Sequence, residues 1–516
     1  MTFARLIRHA ELRRIAIAAA VFTATALPAT SQTAVPRGGE FRVNTYWYDN
    51  ERESSVALSP NGDFVIAWQG DGHDGAGTGI YAQRYTAAGV PAGGEFRVNS
   101  YTPGDQRDPS ATMDAAGNFV VAWHNTGLNE IGQSIYGVFI QRYIASGVPW
   151  GGEVQVNTLE ARSHNHPSVA MDADGDLVVT WENINTGNQG GYIYARRYTP
   201  SGTPLGGQFI VSPSRFDQFR PSVAVAPSGE FVIAWQDAYR ISAQRFAASG
   251  TRRGGTIQVD TYTGTEFQFY PSVAMDADGD FVVAWQNEAY GRTGRDGSGS
   301  GVYARQYTAA GVPVGDEFRV NSYTPGDQKK PSVAMNNDGS FVVTWTSANQ
   351  NGQVNGIYAQ SYTSTGTLVG SEFRVSPVAG GDQQNPSMAV DADGDFVVAW
   401  ESIGQDGAGF GIYARRFSRG LVAAEPGATS GLSLSAIPNP VGTRGGTVRV
   451  VLPQTGPVRL SVVDALGREV AVLLDGVRPA GAHEVPLDTS GLTAGVYVVR
   501  LVAGGSVAST RLIVAR

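Results

Sequence analysis

Residues 271–285 read PSVAMDADGDFVVAW: two short apolar runs on either side of an acidic turn that carries glycine in its fourth place. Near-copies of the second run end at Trp68, Trp123, Trp181, Trp235, Trp285, Trp345 and Trp400, 50 to 60 residues apart. That spacing is the size of a propeller blade and too long for most solenoid repeats. In the fifth copy, glycine, proline and aspartate clusters mark off four strand-like runs: PSVAM (271–275), FVVAW (281–285), GVYARQY (301–307) and EFRVN (317–321). FVVAW is apolar on both faces, which predicts a strand in a sheet packed between two neighbouring sheets. GVYARQY alternates more, as a strand in partial contact with solvent does. Connection lengths set the order. DADGD is a tight hairpin, TAAGVPVGD a modest one, and SYTPGDQKK (322–330) a long link to the next repeat. PSVAM is therefore expected innermost at the axis, FVVAW second, GVYARQY third and EFRVN outermost.

Strand counting predicts how the array ends. EFRVN first occurs at 40–44, before any inner strand, while the last repeat (386–390, 396–400 and 411–417) has no outer strand after it. The N-terminal copy is expected to complete the last blade and close the ring, removing exposed sheet edges. The fold expected is all-β: a seven-bladed β-propeller over residues 32–418, a linker over 419–431 and an immunoglobulin-like β-sandwich over 432–516. The repeat pattern Pro-Ser-Val-Ala, Asp-Gly, Phe-Val-Val-x-Trp, Gly-Ile-Tyr-Ala-Gln-Arg, Glu-Phe-x-Val-Asn resembles bacterial extracellular propeller repeats, a resemblance that implies no particular activity.

Composition narrows the function classes. The formal net charge is -8, and Lys329 and Lys330 are the only lysines. With the arginines spread along the repeats, no clustered cations offer a phosphate-binding patch, and no nucleic-acid partner is expected. The N-terminus reads as an export signal covering residues 1–31. Arg5, Arg8, Arg13 and Arg14 precede the apolar run 15–27, and Ala29 and Ser31 fit a small-x-small cleavage rule. That run is too short for a transmembrane span, and no later segment approaches about 18 continuous apolar residues. The chain has no cysteine, so an exported protein of this kind must rely on a large, well-closed core.

Three turns read Asp-x-Asp-Gly-Asp: Asp172, Asp174 and Asp176; Asp276, Asp278 and Asp280; Asp391, Asp393 and Asp395. Ca2+ is the one cofactor such loops suggest, but calcium takes six to eight oxygens, usually from a longer loop with a distal carboxylate. The other copies (SPNGD, DAAGN, APSGE and NNDGS) keep only the fourth-place glycine, as a turn with positive φ requires. Hairpin turns capped by Asp, Asn and Ser are the favoured reading. Acidic glycine-rich runs at 70–79, 294–301 and 404–411 are read as solvated loops, with a surface cation site as the sharper alternative.

The blade-crossing links carry aromatic residues on the face where propellers usually bind: Tyr46, Trp47, Tyr48, Tyr101, Phe216, Phe219, Tyr262, Phe267, Phe269 and Tyr323. Such rings could stack on sugars or anchor a protein, or simply cover the tops of their own blades. Catalytic signatures are thin: no cysteine, no Gly-x-Ser-x-Gly elbow and no His-Glu-x-x-His helix. His124, His164 and His166 lie around the second and third blades, but SHNHP lacks a matched carboxylate as a metal motif. Paired carboxylates for glycoside cleavage are compatible with the acidic loops. An active site, however, needs one-off residues rather than repeated ones.

After residue 431 the repeat disappears, and short alternating strands are expected at 447–452, 458–465, 469–474, 483–488, 496–503 and 509–516. IPNPV (437–441), VRLSVVDALGREVAVL (458–473), LDTSGLTAGVYVVRL (487–501) and RLIVAR (511–516) resemble the type A C-terminal sorting domain of the type IX secretion system. The motif positions are Pro438, Asn439, Pro440, Gly467, Arg468, Gly495, Tyr497 and Arg511. The resemblance implies passage through general secretion, recognition by an outer-membrane translocon as partner, and release or surface anchoring. The function expected is that of a secreted or surface-attached, monomeric, non-catalytic binding or adhesion propeller with an extracellular glycan or protein ligand. A polysaccharide hydrolase or lyase acting on the same face, or a structural matrix component, are the alternatives.

Overall fold

The computed structural model describes residues 34–514 apart from 47–49, 73–76, 129–133, 159–162, 185–190, 213–215, 262–263, 265, 289–293, 351, 353, 378–380, 406, 408, 420–432, 438–445, 453–454, 464–467, 480 and 504–505. The expected export signal (1–31) lies outside these residues, as does the expected linker beyond Arg419. The described residues form strands and turns without helices. They divide into two compact units, Met1–Leu421 and Val422–Arg516.

In the first unit, six four-stranded sheets and one sheet edged by two short strands follow one another along the chain. The first sheet runs inner to outer as Glu51–Leu58, Phe64–Asp71, Thr78–Tyr85 and Phe96–Arg97, all antiparallel. The inner strands of the others are Asp105–Met113, Ser163–Met171, Gln218–Val225, Phe267–Met275, Gln328–Met335 and Gln383–Val390. Each inner strand touches the next, and the seventh touches the first, so the sheets form a closed, propeller-like ring. The last sheet, Gln383–Val390, Phe396–Ile403 and Phe410–Ser418, is completed by the N-terminal segment. There Val35 and Pro36 pair with Ser418 and Phe417, and Phe41 and Arg42 with Ala414 and Tyr413.

The repeated residues explain the ring. The seven repeat tryptophans are at most 1% exposed, and each lies in a core cluster built from two adjacent sheets. In six of the seven sheets the phenylalanine opening the second strand stacks on the aromatic ring closing the third, as in Phe64 on Tyr85 at 4.8 Å and Phe281 on Tyr307 at 4.8 Å. Pro-Ser-Val-Ala contributes a second kind of seam. The serine Oγ of each inner strand accepts a backbone N–H from the next: Ala111 to Ser55 (2.9 Å), Val169 to Ser110 (3.1 Å) and so on around to Val56 on Ser387 (3.1 Å). Seven such bonds run around the axis without a break.

The acidic turns are held from within. Oδ1 of Asp172, Asp276 and Asp391 each accepts the N–H groups two and four residues on, at 2.9–3.0 Å. The fifth turn residue reaches the neighbouring hairpin instead: Asp280 Oδ1 accepts from Ala309 N–H and Asp395 Oδ1 from Arg419 N–H. The fourth-place glycines all have φ of 78–91°, and a Cβ on Gly339 would lie 3.0 Å from Asp276 of the preceding sheet. The outer strands pair over only two residues in most sheets. In the first sheet the closing Asn takes over the ladder there, where Ile80 N–H donates to Asn99 Oδ1 at 2.7 Å.

The second unit pairs Ser433–Ile437, Gly446–Leu452 and Gly481–Leu487 in one sheet. A second sheet holds Glu469–Arg478, Gly456–Val463, Gly495–Ala503 and Ser506–Val514, in that order. Both sheets share one core containing Val448, Val450, Leu460, Val462, Val499, Leu501 and Leu512. The strand at 433–437 was absent from the sequence expectation; its few alternating residues abut proline and glycine and give little pattern to read.

Candidate functional site: the mouth of the ring

A cavity of about 830 Å³ opens where the inner strands begin, lined by residues of all seven sheets. Every inner strand has a bulge there. The register with the second strand shifts between Arg52 and Ser55, and at the equivalent place in the other six. The residue at the bulge is Glu53, Asp108, His166, Arg220, Tyr270, Lys330 or Asn385, each with φ between 47° and 55°. In six of the seven it is followed by Pro-Ser.

A left-handed backbone is the natural place for glycine, and a side chain there costs about 1–3 kcal/mol. This chain uses glycine freely at positive φ elsewhere, yet at no bulge in the mouth. The seven bulge residues are all different, although their neighbours repeat. Bulges re-aim side chains and occur beside functional sites. Here they turn seven one-off side chains into a common cavity.

The strained backbone is supported by the preceding sheet. The residue after each repeat tryptophan accepts the bulge N–H of the next sheet at five of the seven positions. These are Asp108 on Gln69 (3.0 Å), Arg220 on Glu182 (2.9 Å), Lys330 on Gln286 (3.0 Å), Asn385 on Thr346 (3.2 Å) and Glu53 on Glu401 (2.7 Å).

The charges of the bulge residues divide around the mouth, with Arg52 and Arg107 lining it beside the acidic pair. Glu53 and Asp108 come from the first and second sheets, while Arg220, Tyr270 and Lys330 come from the fourth, fifth and sixth. The Arg220 guanidinium lies 4.4 Å from the centre of the Tyr270 ring and Lys330 Nζ 5.5 Å from it. Lys330 Nζ is 3.9 Å from Glu53, which also meets the Asn385 amide at 3.4 Å. Between the two halves, His166 lies 2.9 Å from Glu182 and 3.5 Å from Asp108, and His124 lies 3.4 Å from Asp108.

These contacts separate the protonation preferences. Burial pulls His166 down, but the hydrogen bond and charge of Glu182, with Asp108, raise it overall. Burial pushes Glu182 up, but His166 and the Arg220 N–H bring it below the usual carboxylate value. His124 is lowered, chiefly by burial. Glu53 is raised by burial, a rise that Lys330 opposes and the nearby Glu401 and Asp108 reinforce. The site thus offers fixed cations, an imidazole biased toward its charged form by a carboxylate, and a carboxyl biased toward its protonated form. Such a set can bind anions and hydroxyls and exchange protons.

Among the described residues, the mouth is not lined by the aromatic residues singled out from the sequence. Tyr46 and Phe216 are exposed, and Tyr101, Phe219, Phe267 and Tyr323 are partly buried outside the cavity lining. Phe267 packs edge-on against Tyr239 at 4.3 Å. Trp47, Tyr48 and Tyr262 lie outside the described residues. The aromatic ring that does reach the mouth is Tyr270. The signal that could have found it is the letter before Pro-Ser, or before Ser-Ser in the first repeat: aligning the repeats gives Glu, Asp, His, Arg, Tyr, Lys, Asn ahead of a recurring Pro-Ser-Val-Ala-like run. Among the described residues, no three His, Asp or Glu side chains converge as metal ligands.

In the second unit, Tyr497 is buried and its hydroxyl donates to the Thr493 carbonyl at 3.0 Å. Gly495 opens the strand that carries it, Arg468 is exposed, and Arg511 lies on the last strand opposite Val498. Pro438, Asn439, Pro440 and Gly467 lie outside the described residues.

No curated protein matches the chain. Among solved structures, a protein of unknown function from Dyadobacter fermentans DSM 18053 is similar at 10% identity over 75% of this chain and 99% of that one, with a TM-score of 0.47. A polysaccharide lyase PL25 ulvan lyase is similar at 11% identity over 75% and 96%, TM-score 0.46. An α-L-arabinanase from Penicillium chrysogenum is similar at 15% over 59% and 92%, TM-score 0.41. No helix among the described residues is long and apolar enough to cross a membrane. Residues 435–515 match the family described as the secretion system C-terminal sorting domain, so the chain ends in a type IX sorting domain that marks a secreted or cell-surface protein.

Proposed function

We propose that the first unit is a seven-bladed β-propeller closed by its N-terminal strand, and that it binds an extracellular ligand at the axial mouth. The C-terminal unit is its immunoglobulin-like sorting module. The observation that carries the reading is the ring of seven different side chains held at left-handed bulges. A purely structural ring would place glycine there and be more stable for it. The experiment is a glycan array and polysaccharide pull-down with the full-length mature protein, beside a variant carrying Glu53→Gly, Arg220→Gly and Lys330→Gly. Binding by the wild type that the folded variant loses supports the mouth as the site. Equal binding by both moves the ligand to the aromatic links.

A second reading, a polysaccharide hydrolase or lyase, is favoured by the unlike environments of Glu53 and of the His166–Glu182 pair. Release of new reducing ends or unsaturated sugars, abolished in Glu53→Gln, would establish it. Intact polymer after prolonged incubation would leave binding alone.

A further inference from the structure

A second cavity of about 290 Å³ adjoins the mouth and shares Tyr270, Lys330 and Asn385 with it. It spans the fifth, sixth and seventh sheets and is lined by Gln286, Thr346, Asn355 and Gln384, of which Gln286 and Thr346 each accept a bulge N–H and Gln384 Nε2 donates to Glu401 at 3.1 Å. Amides and hydroxyls carry further donor and acceptor capacity beyond such single bonds. Its own charges are balanced, since Lys329 is paired with Asp327 at 3.0 Å and lies 3.7 Å from Glu288. The mouth differs: apart from Arg107, which is paired with Asp105 at 2.8 Å, its lining holds Arg52, Arg220 and Lys330 against Glu53 and Asp108, in a chain of net charge -8. Arg220 and Lys330 both lean on Tyr270, which fixes two cations on one side of the opening. An amide-rich cleft leading into a mouth with paired cations suits a hydroxylated chain that carries acidic groups.

We propose that the two cavities form one elongated site for an anionic oligosaccharide. A carboxylate or sulfate sits between Arg220 and Lys330, sugar hydroxyls face Glu53 and Asp108, and the chain leaves over Lys330 and Asn385 into the cleft. This deepens the reading of the mouth as a ligand site and rests on it. Lys330 is the junction: its head group serves the anion in the mouth while its stem floors the entrance to the cleft.

The test is calorimetric titration of the full-length protein with four tetrasaccharide probes and their monosaccharides. The probes are an oligogalacturonide, a sulfated carrageenan fragment, and neutral cello- and xylo-oligosaccharides. The expected result is preference for one or both acidic chains, weakening with salt, and about tenfold loss in each of Arg220→Gln and Lys330→Gln, as for one charge-assisted hydrogen bond. The carboxylated and sulfated arms identify the anion. Gln384→Ala should weaken the tetrasaccharide several-fold and leave the acidic monosaccharide unchanged. Neutral chains bound as well as acidic ones would overturn the anionic assignment and leave the mouth as a ligand site. Equal loss for monosaccharide and tetrasaccharide in Gln384→Ala would overturn the elongated site. No binding by any probe, with mouth variants indistinguishable from wild type, would overturn both.

Discussion

If the mouth residues are kept for their side chains at the expense of backbone strain, replacing them with glycine should stabilise the ring relative to alanine while destroying the site. Glu53, Lys330 and Asn385 are suited to the test because they contact one another, so a triple alanine and a triple glycine variant lose the same side-chain contacts. The two variants differ only in the Cβ at φ of 48°, 51° and 55°. Removing it relieves about 1–2 kcal/mol at each position, and the extra freedom of glycine in the unfolded chain takes back roughly 0.5–1 kcal/mol. The net is about 1 kcal/mol per site and about 3 kcal/mol for three. With roughly 2.1 cal/mol/K of unfolding entropy per residue over residues 34–418, that is a rise in Tm of about 4 °C for glycine over alanine. Differential scanning calorimetry of both variants measures it, with titration of any bound ligand as the second readout. A glycine variant no more stable than the alanine one would refute the strain argument.

Deleting residues 34–44 removes the strand that edges the last sheet, with Val43 buried and Val43 N–H bonded to Ile412 O at 2.8 Å. A loss of roughly 3–5 kcal/mol is expected in chemical denaturation, and an unchanged midpoint would contradict ring closure through the chain's two ends. The His166–Glu182 pair should stabilise the ring fully between the usual carboxylate and usual imidazole values, fading as pH falls from the first through the lowered value of Glu182 or rises from the second through the raised value of His166. His166→Gln should flatten that alkaline loss in pH-dependent unfolding; an identical profile would remove the pair from the account. Asp391 is pushed up to about 6 by burial and by Asp395, so stability should decline as pH rises from the ordinary aspartate value through about 6. Asp391→Asn, the residue type found at the equivalent Asn336, should then gain on the order of 1 kcal/mol at pH 8 and nothing at pH 3, by the same melts. Because the first Asp of each turn is engaged by backbone N–H groups, adding calcium or chelator should move Tm by less than about 1 °C; a shift of several degrees would place an ion there.

The repeating strands were legible because their cause is local. FVVAW is apolar at every place since both faces of its sheet are covered, and the order of strands follows from which connections are short. The N-terminal strand could be assigned by counting alone. The mouth could not be read in the same way, because its residues are ordinary polar letters one step before Pro-Ser. Only the bulge turns Arg220, Tyr270 and Lys330 into one cavity. Periodicity of 2 places residues on faces but gives no sign of an inserted residue. The aromatic links drew attention by being large and one-off, yet Phe267 packs on Tyr239 and Phe219 lies outside the lining. From the sequence, the histidines are weighed as a metal motif and set aside for want of a matched carboxylate. Their geometry gives His166 and His124 a shared carboxylate in Asp108, a residue of the position before Pro-Ser that is adjacent to neither histidine in sequence.

The serine seam around the axis uses backbone N–H groups and a hydroxyl that every inner strand supplies, and the bulge supports come from the preceding sheet's second strand. None of these bonds asks anything of the side chain at the bulge itself. The mouth is therefore a seven-letter word written on a frame that does not depend on its spelling. Changing one letter alters what the site recognises without disturbing the seam. A fold built this way can acquire a new ligand one substitution at a time, each step made with the seam of backbone and serine bonds left in place.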